Sequence, residues 1–119
     1  MTVRVQREDF DIGAEIAAFR GADAGIGAIA SFIGLVRDAN EGEAVAGMKL
    51  EHYPGMTEKA LAGIVTEAKR RWDIADALVI HRVGELKPLD QIVLVVVTGA
   101  HRGTAFAACE FIMDYLKTQ

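Results

Sequence analysis

Four cationic side chains, Arg37, His101, Arg102 and Lys117, stand where they could bind an anionic ligand. Arginine suits bidentate contact with phosphate or carboxylate, and a lysine ammonium can also take part in proton transfer. His101 and Arg102 fall where an apolar run gives way to helical spacing, so we expect them beside the unpaired backbone N–H groups of a helix N-terminus. Because such a junction attracts anions, the pattern indicates anion binding with proton transfer nearby.

The helix that begins near Arg102 has two distinct faces. At about 100° per residue, a mixed stripe is formed by Arg102, Phe106, Cys109, Met113 and Lys117. A broad apolar side, which predicts a core face, is formed by Ala105, Ala108, Phe111, Ile112, Tyr115 and Leu116. The mixed stripe is typical of a groove wall for a partly apolar, anionic ligand. Spacing alone favours the alternative, in which the two cations are solvated and the remaining members form a second small packing surface.

Two predicted strands must position these side chains. Residues 92–97 are an unbroken, mostly β-branched apolar run, which predicts a strand that is buried on both faces at the middle of a sheet. Residues 25–36 are rich in glycine and predict a strand approached closely by another backbone, with Gly34 as a candidate bulge. Arg37 then stands at the hinge of a polar loop over residues 37–43.

The rest of the chain predicts an α+β domain. Its elements follow in chain order: a strand over 2–6, a helix over 11–20 capped by Asp11 and stopped by Gly21, a strand over 45–53, a helix opened by Pro54 with an apolar stripe to Trp72, a strand over 77–83 and a turn-rich link over 84–90. The resulting order, β-α-β-β-α-β-β-α, resembles the split βαβ core of ferredoxin-like folds with an added strand and a C-terminal helix.

Composition and net charge limit the classes of protein to which the chain can belong. The 119 residues predict one domain, and 51% hydrophobic and 25% charged residues are ordinary for a globular protein. The formal net charge of -4 argues against nucleic-acid binding, which needs a basic surface. Cys109 is the only cysteine, which fits a reducing compartment, and the first residues lack the apolar segment of a signal peptide. The uncharged stretches are too short to span a bilayer. These features predict a cytoplasmic protein that is not in a membrane.

No motif in the sequence predicts a metal or a cofactor. His52, His81 and His101 lack the spacing of a metal site and have no accompanying cluster of cysteines or carboxylates. The glycines of residues 98–104 match neither a P-loop nor a dinucleotide fingerprint. Cys109 lies in mid-helix, away from a helix N-terminus that would lower its pKa, and is predicted to be a packed thiol rather than a nucleophile.

Five segments give the chain a specific resemblance to a known family. They are GAIASFIGLVRD (27–38), LEHYPGMTEKAL (50–61), VIHRVGEL (79–86), AHR (100–102) and FIMDYLKT (111–118). Together they resemble the large, catalytic subunit of molybdopterin synthase, and the resemblance covers essentially the whole chain.

The resemblance implies an α/β-hammerhead fold and a sulfurtransferase of molybdenum cofactor biosynthesis. A central homodimer would bind one small ubiquitin-like subunit at each end, which gives a heterotetramer. The Gly-Gly tail of the small subunit, carried as a thiocarboxylate, would enter a pocket of the large subunit. Two sulfurs would be transferred to cyclic pyranopterin monophosphate to form the dithiolene of molybdopterin.

The resemblance also assigns roles to residues of this sequence. Phe32 and Arg37 match the pocket residues of the first segment, and His101 and Arg102 match the substrate-anchoring pair. Met113 and Lys117 match the pocket methionine and the catalytic lysine. Because this independent pattern selects the same helix face, it favours the groove over the simple packing surface.

One departure from the family concerns the end of the chain. The family continues beyond the Leu-Lys-Thr segment into an Ala-Pro-Phe-Trp-Lys-like stretch with a second functional lysine, whereas the sequence ends at Gln119. We therefore expect a single domain over residues 1–119 without that segment. Two functions remain open at this point: a sulfurtransferase subunit, or a non-catalytic module that binds the small-subunit tail or a small anionic ligand.

Overall fold

The computed structural model describes residues 1–40, 43–44, 48–50 and 56–117. The three helices and the strands of these ranges are, in chain order, β1 (Thr2–Gln6), α1 (Ile12–Arg20), β2 (Ala28–Leu35), β3 (Ala39–Asn40), β4 (Glu43–Ala44), β5 (Met48–Leu50), α2 (Met56–Arg71), β6 (Asp76–Arg82), β7 (Gly84–Leu86), β8 (Gln91–Gly99) and α3 (Arg102–Lys117). The predicted α+β class with a C-terminal helix is confirmed.

The main sheet has the strand order β1-β6-β8-β2 in the described part of the chain. β1 runs parallel to β6, while β6 and β2 both run antiparallel to β8. β8 is thus an interior strand and β2 is an edge strand. Two small antiparallel pairs, β3 with β4 and β5 with β7, form separate two-stranded sheets.

Helices cover both faces of the main sheet. α2 and α3 pack on one face, where Val93, Val95 and Val97 of β8 meet them. α1 packs on the other face, against Leu94 and Val96. Because successive strand residues point to opposite faces, an unbroken apolar run such as β8 serves both layers. The prediction of a central strand buried on both faces is therefore confirmed.

Several boundaries of helices and strands lie where local sequence signals predict them. The Asp11 carboxylate accepts a hydrogen bond from the Ala14 amide at 2.9 Å and caps α1. Gly21 ends that helix with φ 61°, a conformation that costs glycine little. The pairing of β2 with β8 shifts register between Gly34 and Leu35, so the predicted bulge is also confirmed.

Two predicted irregular segments contain strands instead. Residues 37–43 were expected to form a polar loop, but β3 and the start of β4 lie there and pair with each other. The predicted link over 84–90 holds β7, which pairs with β5. Strands of two or three residues are too short to show alternation, which is why the sequence pattern misses them. β5 occupies only part of the strand predicted over 45–53; residues 45–47 and 51–55, with His52 and Pro54, lie outside the described residues.

Candidate functional site

The junction between β8 and α3 places His101 and Arg102 at the surface. α3 begins at Arg102, and both side chains are exposed. The His101 carbonyl accepts hydrogen bonds from the Ala105 amide at 3.3 Å and from the Thr104 hydroxyl at 3.2 Å, so it closes the first turn. The exposed His101 and Arg102 side chains therefore stand beside a helix N-terminus, as the sequence predicted, where an anion is favoured.

A groove of about 470 Å³ runs between β2 and α3. Its apolar lining includes Phe32 of β2 and Phe106, Cys109 and Met113 of α3, while Glu110 and Asp114 form a rim. We call this feature the β2–α3 groove. Phe32 and Met113, the two predicted pocket residues, are thus brought together. The groove falls in the size range of small-ligand sites.

The mixed stripe of α3 serves packing and the groove at once. Cys109 and Met113 are only 6% and 8% exposed and belong to the core under α2 and α3. Phe106, one turn earlier, is 64% exposed. Burial raises the pKa of the Cys109 thiol to about 11, so the thiol stays protonated at neutral pH. The prediction of a packed thiol is confirmed. The mixed stripe also contributes to the core, so it is both a groove wall and a packing surface, two roles that helical spacing alone cannot distinguish.

The predicted cationic residues stand beyond opposite ends of the groove, and those whose side chains the structure describes are not among its lining residues. Arg37 is exposed just after β2, and Lys117 is the last residue of α3, although its side chain lies outside the described part. β2 is antiparallel to β8, and α3 packs back over both strands, so Arg37 and Lys117 belong to the same end. Arg102 is 15 residues from Lys117, or about 22 Å along the helix axis at 1.5 Å per residue. One small ligand cannot touch both residues within a single copy.

Acidic side chains on the groove rim were missed by the sequence reasoning. Glu110 and Asp114 are exposed and lie one turn apart on α3. Their charge disfavours an anion at mid-groove, so anionic groups are favoured at the cationic ends, and a neutral chain is better tolerated between them. The sequence signal that could have identified these two acids is their i, i+4 spacing on α3 beside the mixed stripe.

The described residues give no support for a metal centre or a membrane span. No group of three His, Cys, Asp or Glu side chains is placed to hold a metal ion in the described ranges. No helix there is both long and apolar enough to cross a bilayer. His52, one of the three histidines considered as ligands, lies outside these residues.

Comparisons with known proteins agree on one family. The model of the MoaE protein family matches residues 5–119. A protein named molybdopterin synthase catalytic subunit, from Ralstonia nicotianae, is 70% identical over 118 residues, which are 99% of this chain and 67% of that protein.

Solved structures match the whole fold. The MoaE protein of molybdopterin biosynthesis from Burkholderia ambifaria MC40-6 superimposes with a TM-score of 0.91 at 58% identity, covering 99% of this chain and 77% of that one. Molybdopterin synthase from Staphylococcus aureus superimposes with a TM-score of 0.84 at 30% identity, covering 96% of this chain and 82% of that one. The chain belongs to the MoaE protein family.

Proposed function

We propose that this chain is the catalytic subunit of a molybdopterin synthase. It transfers sulfur from the thiocarboxylated C-terminus of a small ubiquitin-like subunit to cyclic pyranopterin monophosphate and so forms the dithiolene of molybdopterin. The observation that carries the proposal is the β2–α3 groove, which joins Phe32 and Met113 and has cationic residues beyond both ends. The names of the curated relatives support the same activity.

The groove suits an extended tail that lacks side chains. Phe32, Cys109 and Met113 offer an apolar wall, and a Gly-Gly segment passes along such a wall without steric conflict. Bringing the thiocarboxylate to the Lys117 end places its negative charge near a cation, and this attraction favours binding there. We assign Lys117 to stabilisation of the adduct or to proton transfer, since an ammonium group serves both roles.

The anionic phosphate of the substrate needs a separate anchor. Arg37, His101 and Arg102 are exposed and free to approach a ligand from solvent. Guanidinium groups bind phosphate in a bidentate manner, and the N-terminus of α3 adds its dipole at His101 and Arg102. Phosphate binding at fixed points would hold the reacting carbons of the pterin near the tail, which lowers the entropic part of the barrier.

The separation of the cations supports a homodimer. Arg102 and Lys117 are about 22 Å apart in one copy, but a two-fold axis that sets two α3 helices antiparallel brings the Arg102 end of one beside the Lys117 end of the other. The edge strand β2 also carries Ile29 and Leu35, which are 39% and 45% exposed. We propose a homodimer that binds one small subunit at each end to form a heterotetramer, located in the cytoplasm and without a cofactor of its own.

A reconstituted reaction tests this function. The purified chain is incubated with thiocarboxylated small subunit and cyclic pyranopterin monophosphate, and dithiolene product is measured after oxidation to a fluorescent pterin. The proposal requires product and tight binding of the small subunit. Tight binding without product from the verified full-length protein would instead support the non-catalytic binding module.

A further inference from the structure

Leu89 has a backbone conformation that disfavours leucine, and it gains no burial in return. The Asp90 amide donates a hydrogen bond to the Lys87 carbonyl at 2.9 Å and closes a turn with Pro88 at its second position. Leu89, at the third position, has φ 75°, as in a type II turn, where glycine or asparagine is usual. It is the one non-glycine residue with positive φ among the residues that the structure describes. Its side chain is 80% exposed, so packing does not offset the strain.

Hydrogen bonds attach this turn to the segment that leads into Arg37. The Leu89 amide donates to the Val36 carbonyl at 2.9 Å, and the Val36 amide donates to the Asp90 carbonyl at 3.0 Å. The Lys87 amide also donates to the Asp90 carboxylate at 2.8 Å, which holds the turn itself. Arg37 is the next residue after Val36, so the turn lies beside Arg37, at the end of the β2–α3 groove where we place sulfur transfer.

Leu89 and Arg37 together offer two kinds of contact. Both side chains are exposed, and the hydrogen bond to Val36 keeps their backbones close together. A guanidinium group binds phosphate in a bidentate manner, whereas an aliphatic side chain packs on the face of a flat ring. Asp38, which follows Arg37 and is also exposed, disfavours ligands with several anionic groups. The pair therefore suits a small ligand that joins a ring system to a single phosphate.

The substrate of the proposed function has this composition. Cyclic pyranopterin monophosphate combines a fused ring system with one phosphate. We propose that Leu89 packs against the pterin ring of this substrate while Arg37 binds its phosphate. The inference rests on the proposed function and adds Leu89 as a residue that determines specificity. It also explains why the strained position holds leucine, since glycine would relieve the strain but offers the ring no side chain.

The substrate fits this turn better than the tail of the small subunit does. The tail passes through the β2–α3 groove in the proposed function, and Leu89 is not among the residues that line it. The thiocarboxylate reaches the Lys117 end, to which Arg37 also belongs, so the sulfur acceptor must be held at that end. A turn closed by hydrogen bonds presents Leu89 in a fixed position, which reduces the entropic cost of binding the ring.

Steady-state kinetics of sulfur transfer by Leu89→Gly, with saturating thiocarboxylated small subunit, test the proposal. KM for cyclic pyranopterin monophosphate should rise at least about fivefold, because an apolar contact with the substrate is lost. The value of kcat should stay unchanged, since the ring keeps this contact in the ground state and in the transition state alike. Leu89→Met is the matched control: it keeps an apolar side chain of similar size and should retain the wild-type KM.

Urea unfolding of the same variants shows whether the leucine serves stability instead. Leu89→Gly should unfold at a urea concentration no lower than that of the wild type, because glycine adopts φ 75° without strain. A lower midpoint would show that the leucine stabilises the fold and would overturn the proposal. Leu89→Asn, which also tolerates a positive φ, is the second test and should raise KM in the same way.

The remaining outcomes separate this inference from the proposed function. Product from the wild type with an unchanged KM for Leu89→Gly would overturn the role of Leu89 alone. Weaker binding of the small subunit by Leu89→Gly, with KM for the substrate unchanged, would assign the turn to the protein partner and also overturn it. No product from the verified full-length wild type would refute the proposed function itself, and the assignment of Leu89 with it.

Discussion

Gly27 lies directly against the carbonyl oxygen of Ala100, so closely that a Cβ atom at position 27 would collide with it. The Gly27 amide also donates a hydrogen bond to the Gly99 carbonyl at 2.9 Å. These contacts hold the end of β8 against the start of β2. His101 is the next residue after Ala100, so the position of the β8–α3 junction depends on Gly27, which is far away in sequence.

We expect Gly27→Ala to reduce the free energy of unfolding by about 1–3 kcal/mol, because the colliding atom belongs to the backbone and cannot turn aside. Urea unfolding measures the change. Gly63→Ala is the matched control: a Cβ at this position in α2 meets nothing within 4 Å, so the helix should gain about 0.5–1 kcal/mol. Equal stability of Gly27→Ala and the wild type would show that the β8 end is not held in this way.

The Cys109 thiol should react slowly in the native protein. Burial raises its pKa to about 11 from 9.0, so the thiolate fraction at pH 8 falls by roughly a hundredfold. We expect iodoacetamide to label the folded chain at least that much more slowly than the chain in denaturant, as followed by intact mass. Labelling of the folded chain at the rate of a free cysteine would contradict the packed position of the thiol.

Stability should decrease in acid because paired carboxylates become protonated. Hydrogen bonds from Arg70 and Arg71 lower the pKa of Glu67 from 4.5 to about 2. At Asp76, partial burial alone would raise the pKa, but a hydrogen bond from the N-terminal ammonium and other favourable contacts lower it overall. The unfolded chain binds more protons in this range, so stability is full above the unfolded pKa values and is lost as the pH falls toward about 2.

Urea unfolding as a function of pH measures this loss. Asp76→Asn should reduce stability at neutral pH and make the decrease in acid shallower, because one of the lowered carboxyl pKa values is removed. Asp114→Asn is the comparison for the loss of one exposed carboxylate, and it should leave the free energy of unfolding at neutral pH unchanged. An identical slope for Asp76→Asn and the wild type would show that the N-terminal ion pair does not stabilise the fold.

The sequence predicts the helices and strands whose apolar residues recur at a clear spacing. It does not predict the short strands that exist only because they pair with another strand. β8 and α3 follow from an apolar run and from helical spacing, and the close approach at Gly27 follows from a glycine-rich strand. In the sequence, β7 resembles a turn, because three residues that begin with Gly84 show no alternation. The groove could not be predicted from the sequence, because it forms where β2 and α3 lie side by side, and this depends on the strand order. The location of Glu110 and Asp114 on the rim of the groove could not be predicted, because it depends on the packing of α3 beside β2.

Arg102→Ala should raise KM and lower kcat of sulfur transfer, because a phosphate anchor acts in the ground state and in the transition state. The side chain is exposed, so the free energy of unfolding should change by less than about 0.5 kcal/mol. Arg20→Ala, at the exposed end of α1, is the matched control and should leave both constants unchanged. A loss of stability without a change in KM would remove Arg102 from the binding site.

We propose that sulfur transfer takes place at the Lys117 end of the β2–α3 groove. Its most direct test is the single-turnover rate of dithiolene formation by Lys117→Ala with saturating thiocarboxylated small subunit, beside Lys59→Ala, which removes an exposed lysine of α2. We expect a rate about 10² to 10⁴ lower for Lys117→Ala, with unchanged thermal unfolding and small-subunit binding, and a wild-type rate for Lys59→Ala. A wild-type rate for Lys117→Ala, or a loss of activity explained by unfolding, would contradict it.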